Sequence, residues 1–193
     1  GLLLSGDMSS RFINFKDKKM LGLFGDAGTA VAIDFKKKMK NFSCFMFGTD
    51  GGGYKNLIYN STGMNVNKKN KFLEMNGAKI FEFALNEIPT QINMLLKKSK
   101  NSIKSIDYFV FHQANKFLIK TLMKKLKIPN KKIIYSIEDF GNTNAASIPI
   151  TIFKNLKNKN NSKILISGFG VGYSWASAII NLNNLKLDTL NKI

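Results

Sequence analysis

The stretch "DYFVFHQANKFLIK", residues 107–120, decides how this chain folds. Tyr108, Phe109, Val110 and Phe111 are all β-prone and predict a strand. Beyond it, Leu118, Leu122 and Leu126 recur at helical spacing and predict a helix over 115–127. Lys116, Lys120, Lys124 and Lys127 repeat on the other side as a solvated face. His112, the only histidine of the 193 residues, stands at the junction beside Gln113 and Asn115. A hydrogen-bonded structural imidazole fits that place. So does a functional one, because strand ends are where sites are commonly built.

Outward from this junction the alternation repeats. "GLLLSG" at 1–6 reads as a strand that needs neighbours to bury Leu2, Leu3 and Leu4. "MLGLFGDAGTAVAIDF" at 20–35 reads as two short strands around a Gly-rich turn, before a basic break at Lys36, Lys37 and Lys38. "FSCFMFG" at 42–48 places Phe42, Cys44 and Met46 on one strand face, Phe45 and Phe47 on the other. "TDGGGYKN" at 49–56 is a loop by composition. A helix over 77–98 carries Phe81, Leu85 and Ile88, with Pro89 expected to kink or restart it. "KIIYSI" at 132–137 predicts a strand, and a turn then leads to a helix bearing Ile148, Ile152 and Leu156. "NLKNKNNSK" at 155–163 is a solvated loop, and the final strands are "KILISGFG" and "YSWASAIINL". Strands alternating with helices predict an α/β fold with a mixed or parallel sheet.

Composition narrows the function classes. Apolar residues make up 44% and charged residues 22%, which suits a globular domain with a core rather than a disordered chain. No apolar run reaches membrane-span length, and "GLLLSGDMSS" lacks the basic flank of a signal peptide. One cysteine, Cys44, excludes an intrachain disulfide framework and a cysteine zinc site, and points to the cytoplasm. Cys44 lies mid-strand and reads as structural. The net charge of +18 admits nucleic acid, an anionic membrane or an acidic protein partner. Its lysines are spread along the chain without an aromatic-basic reader motif, so neither nucleic acid nor membrane is expected.

Three turns carry small or amide residues: "HQAN" at 112–115, "GNTNAAS" at 141–147 and "GFGVG" at 168–172. Loops at one end of a sheet can converge on one crevice. A neutral imidazole at His112 and the carboxamide of Asn142 are the donors that a carbonyl oxygen gaining negative charge requires. The Gly-rich turn can bring backbone N–H groups close to a ligand. Read singly, "GNTNAAS" also fits an Asx turn and helix cap. "GDAGTA" lacks the Lys-Ser/Thr of a nucleotide-binding P-loop.

In their order and spacing these stretches resemble the β-ketoacyl-acyl carrier protein synthase III family of the thiolase-like superfamily. The resemblance rests on "FGDAGTAVAI" at 24–33, "TDGGGYKN", "MNGAKIFEFALNEI" at 75–88, "DYFVFHQAN", "FGNTNAASIPI" at 140–150 and "GFGVGYSWASAII" at 168–180. It implies a thiolase-like α/β fold with a mixed sheet and packed helices. Residues 1–38 would close the N-terminal half, and 39–193 would form the C-terminal half carrying His112 and Asn142.

The resemblance further implies that His112 and Asn142 donate to a malonyl thioester carbonyl and stabilise the enolate left by decarboxylation. Backbone N–H groups at Val171 or Gly172 would serve the oxyanion. Gly77, Ala114, Lys116 and Lys120 would face the substrate arm or its carrier. Acyl carrier protein, acyl-CoA and a second copy in a homodimer are the implied partners, with no cofactor and no metal. Ala78 stands where many members have an Asn that holds the pantetheine arm, so that grip is expected to differ. The family's nucleophilic cysteine lies upstream of the part matched, and Cys44 does not replace it. A condensing acyltransferase without its cysteine half is thus one expectation, and a non-catalytic carrier-binding or acyl-CoA-binding subunit is the other.

Overall fold

A computed structural model describes residues 1–33, 43–59, 72–157, 159 and 161–182. The basic break at 36–38, the boundary between 38 and 39, and Phe42 lie outside the described residues. The strands are β1 (Leu2–Asp7), β2 (Ala27–Ala32), β3 (Cys44–Thr49), β4 (Leu57–Tyr59), β5 (Leu73–Met75), β6 (Tyr108–Phe111), β7 (Ser162–Gly170) and β8 (Ser174–Leu182). The helices are α1 (Lys18–Leu21), α2 (Gly77–Lys98), α3 (Lys116–Leu126), α4 (Ile137–Phe140) and α5 (Ser147–Asn155).

The main sheet runs β3-β8-β7-β6. β6 pairs in parallel with β7, while β7–β8 and β3–β8 are antiparallel, so the sheet is mixed. Alternation along β6 explains why its four residues are all apolar. Phe109 and Phe111 enter one core with α2 and α3, while Val110 turns to a second with Leu156 and Ile152 of the α5 side. β7 splits likewise, Leu165 to the first core and Ile164 to the second. Both faces of the sheet are therefore covered, which is what a continuous apolar strand requires.

Asn115 caps α3, its side chain accepting the Leu118 N–H at 2.7 Å. α2 runs unbroken through Pro89. Proline has no N–H for the Leu85 carbonyl one turn earlier, and Lys125 Nζ of α3 donates to that carbonyl at 2.7 Å. A donor from the neighbouring helix thus fills the gap, and α2 does not restart.

Several expectations fail. "KIIYSI" makes no strand: Ile133 forms one isolated parallel bridge to Phe109, and Ile137 already opens α4. Its backbone is bonded to side chains instead. The Ser136 N–H goes to Gln113 Oε1 at 3.0 Å, and the Tyr135 carbonyl accepts from Asn155 Nδ2 at 3.1 Å. "TDGGGYKN" is not irregular, since Gly51–Asn56 winds into a 3₁₀ helix with Asp50 capping the Gly52 N–H. Only the second of the strands expected in 20–35 forms, as β2; Phe24 makes a single bridge to Asn142. β1 and β2 pair only with each other, and Leu2, Leu3 and Leu4 stay 65, 52 and 68% exposed. A two-stranded ribbon leaves part of its surface bare.

Candidate functional site

The chain leaves β6 at Phe111 with its backbone still tied to β7, the His112 N–H donating to the Ser167 carbonyl at 2.8 Å. This places the imidazole at the end of the sheet, where β7 also delivers Gly168, Phe169 and Gly170. His112 meets the Phe169 ring edge-on, with centroids 5.5 Å apart. Its Nδ1 lies 2.7 Å from Ser147 Oγ, and the ring also hydrogen-bonds the backbone of Asn144. Surrounding protein strips water from the ring and pulls its pKa down to about 4. His112 is therefore neutral at physiological pH, able to donate from one nitrogen and accept at the other.

Asn142 is 7% exposed and arrives on a different segment. Gly141 precedes it at φ +66, a backbone conformation that glycine adopts without strain. Asn142 Oδ1 accepts the Asn144 N–H at 3.0 Å, an Asx turn that fixes the carboxamide. With Oδ1 engaged, the Nδ2 end is the one offered to a ligand. The Asx-turn reading of "GNTNAAS" and the donor reading are thus compatible, because one end of the amide serves each.

His112 and Asn142 both line a cleft of about 430 Å³. Gly77, Ala114 and the turn Gly168–Val171 line it too, with apolar walls from Leu57, Met75, Ile80, Phe81 and Phe169. Such a cleft, apolar with a few convergent polar groups, suits a small acyl chain ending in a polarisable carbonyl. Of the residues singled out by sequence, His112, Asn142, Gly77, Ala114 and Val171 come together here. Gly172 lies beyond the lining at φ +146. Lys116 and Lys120 are outside it as well. Lys116 pairs with Glu138 and stands 5.9 Å from the Tyr135 ring centroid, while Lys120 is exposed on α3. Ala78 borders a separate hollow with Asp17 and Lys19. Cys44 sits in β3 against the α2 side of the core, facing away from this chemistry.

Sequence reasoning missed Asn144 and Ser147 as neighbours of the imidazole. The only available signal was their place in the "GNTNAAS" turn. Among the described residues no cluster of three His, Cys, Asp or Glu could hold a metal, and no helix is long and apolar enough to cross a membrane.

A mixed sheet covered on both faces, with a strand-end imidazole facing an Asx-turned amide, belongs to the thiolase-like class of folds. Two family profiles then match within the chain: "3-Oxoacyl-[acyl-carrier-protein (ACP)] synthase III" over residues 1–51 and its C-terminal counterpart over 96–182. The chain belongs to the 3-oxoacyl-[acyl-carrier-protein] synthase III family.

The relatives agree. The β-ketoacyl-[acyl-carrier-protein] synthase III of Prochlorococcus marinus (strain MIT 9215) is 35% identical over 191 residues, covering 93% of this chain and 57% of its own length. That of Lactococcus lactis subsp. lactis is 31% identical, covering 94% and 59% respectively. The crystal structure of a 3-oxoacyl-(acyl-carrier protein) synthase from Burkholderia xenovorans LB400 superposes with a TM-score of 0.88 at 36% identity, covering 96% of this chain and 57% of that one. The chain thus spans somewhat over half the length of the relatives it matches.

Proposed function

We propose that these residues form the enolate-stabilising half of a condensing acyltransferase acting on a malonyl thioester of acyl carrier protein. The carrying observation is that His112 and the oriented Asn142 amide line one apolar cleft. A malonyl thioester carbonyl accepts from the neutral His112 ring and from Asn142 Nδ2. Loss of CO2 leaves its electron pair on the enolate, whose oxygen these two donors stabilise. One such donor in a dry site is worth about 3 kcal/mol. The enolate carbon then attacks an acyl thioester on the enzyme, forming the C–C bond and releasing the thiolate. The backbone at Val171 serves the oxyanion of that second step.

The acyl-carrying thiol comes from residues other than these 193, since their one cysteine, Cys44, is packed in β3. Acyl-CoA supplies the acyl group, and the enzyme works without a cofactor, as a cytoplasmic homodimer. Neutrality of His112 supports the donor role, because a charged ring would not need burial to reach it.

The test is Asn142→Ala in the full-length protein. Malonyl decarboxylation should fall at least about 100-fold, while acylation of the thiol by acyl-CoA persists. Retained decarboxylation would reject the proposal. Carrier binding without thiol-dependent turnover in the unaltered protein would favour a non-catalytic binding subunit.

A further inference from the structure

Ser147 opens α5 and is 1% exposed. Besides facing His112 Nδ1 at 2.7 Å, its Oγ receives the Gln113 backbone N–H at 3.3 Å. A hydroxyl has a single hydrogen to give. The Gln113 N–H can only donate, so the remaining partner for the Ser147 hydrogen is His112 Nδ1. Protonating Nδ1 instead would turn two donors on Oγ and leave the hydroxyl hydrogen unplaced in a buried setting, at a cost of the kind that native structures avoid.

The serine is itself held by a closed ring of buried polar groups. Thr151 Oγ1 donates to the Ser147 carbonyl at 2.7 Å, so the Ser136 hydroxyl, 2.6 Å from Thr151 Oγ1, is the donor of that pair. The Ser136 N–H goes to Gln113 Oε1 at 3.0 Å, and Gln113 Nε2 goes to the Phe111 carbonyl at 2.8 Å. Gln113, Ser136, Thr151 and Ser147 are all 2% exposed or less. A fully satisfied network of this kind rigidifies its members.

We propose that Ser147 is a positioning residue that fixes His112 as the tautomer carrying its proton on Nε2, the nitrogen left to donate into the cleft. This rests on reading His112 as a donor to substrate. Ser147 does not touch the reacting atoms; it decides which ring nitrogen can. The wrong tautomer would place an acceptor lone pair against the enolate oxygen, a mismatch with large kinetic consequences in other imidazole enzymes.

The test is ¹⁵N NMR of the His112 ring in the full-length protein, combined with kinetics of malonyl-thioester decarboxylation. In the unaltered protein Nδ1 should resonate as unprotonated and Nε2 as protonated; a protonated Nδ1 overturns the proposal. Ser147→Ala should yield a mixture of tautomers and a kcat lower by roughly 10- to 100-fold, with KM changed less than about twofold. Ser147→Thr, which keeps the hydroxyl, should restore the Nε2–H form and most of kcat. Unchanged tautomer and kcat in Ser147→Ala would overturn the proposal. If that variant does not fold, the unaltered protein and Ser147→Thr still decide. An Nδ1–H ring in a protein that loses decarboxylation with Asn142→Ala would sink the role of Ser147 alone. An Nε2–H ring in a protein indifferent to Asn142→Ala would sink the functional reading, and with it any catalytic consequence of Ser147.

Discussion

The backbone of Asn142 is bonded to Leu23: its N–H donates to the Leu23 carbonyl at 2.8 Å, and two residues on, the Gly25 N–H donates to the Asn142 carbonyl at 3.0 Å. Phe24 and Asn142 thereby form a short parallel bridge between distant parts of the chain. The carboxamide that faces the cleft is thus seated on a piece of main chain that comes from before β2. A donor aimed at developing charge must be held to a fraction of an ångström, and this seat is one thing that holds it.

Gly25→Ala tests the seat. A Cβ there would stand 1.9 Å from the Phe140 carbonyl oxygen and 3.4 Å from Thr143 Cγ2. The first contact is with backbone, so the segment carrying Asn142 must move. Overpacking of this kind costs about 1–3 kcal/mol, and thermal unfolding should show a lower Tm. The rate of malonyl decarboxylation should fall at least about tenfold, as misplaced donors lose their transition-state contact. A rate equal to that of the unaltered protein would show that the Leu23–Asn142 bond does not position the amide.

The pH behaviour of His112 follows from its burial. Its pKa is lowered from the ordinary 6.5 to about 4, so the folded protein favours the neutral ring. Below pH 6.5 the unfolded chain binds a proton that the folded chain refuses. Stability associated with His112 is therefore fully present above about pH 6.5 and is lost as pH falls toward 4. Relative to His112→Gln, the unaltered protein should lose on the order of 2–3 kcal/mol over that window, read from urea unfolding at a series of pH values. The decarboxylation rate should show no half-point near 6.5 from this group. A midpoint at 6.5 in the ring's NMR titration would contradict the buried neutral donor.

How much of this was legible beforehand differs from element to element. The helices around Leu85 and Leu122 could be read because their apolar stripes face a single core, and Asn115 marked the start of α3 in the sequence itself. The turn bearing His112 could be read because strand and helix patterns meet there. "KIIYSI" misled because its β-branched residues have a strand's propensity, while Gln113 and Asn155 claim the hydrogen bonds a strand would need. Propensity gives no notice of a side chain arriving from elsewhere. Ser147 was invisible as a partner of His112 for the same reason: 35 positions separate them, and only the packing of α5 against β6 closes that distance. Asn142 stood out by type and turn, but its bond to Leu23 could not be read from either segment.

The lysines of α3 lead to the last prediction, about partner recognition. Lys116 is already paired: Glu138 holds it, and that ion pair keeps the Glu138 carboxyl below its usual range. Lys120 repeats one turn further along the same face and stays exposed, close enough to Glu138 to help lower its pKa. An acidic carrier approaching this face would therefore meet Lys120 as the freer charge and Lys116 as a shared one. Exposed charges at the rim of an interface act mainly on encounter and on salt dependence. Lys120→Glu should raise the KM for malonyl-acyl carrier protein several-fold at low salt, with kcat nearly unchanged and the difference fading as salt rises. Glu138→Gln should act in the opposite sense by releasing Lys116, lowering that KM by roughly two- to threefold at low salt. The comparison is made by steady-state kinetics across a salt series, with a malonyl thioester lacking the carrier protein as the control substrate. Equal shifts for carrier-bound and carrier-free substrates would show that these charges act on the cleft rather than on the protein partner.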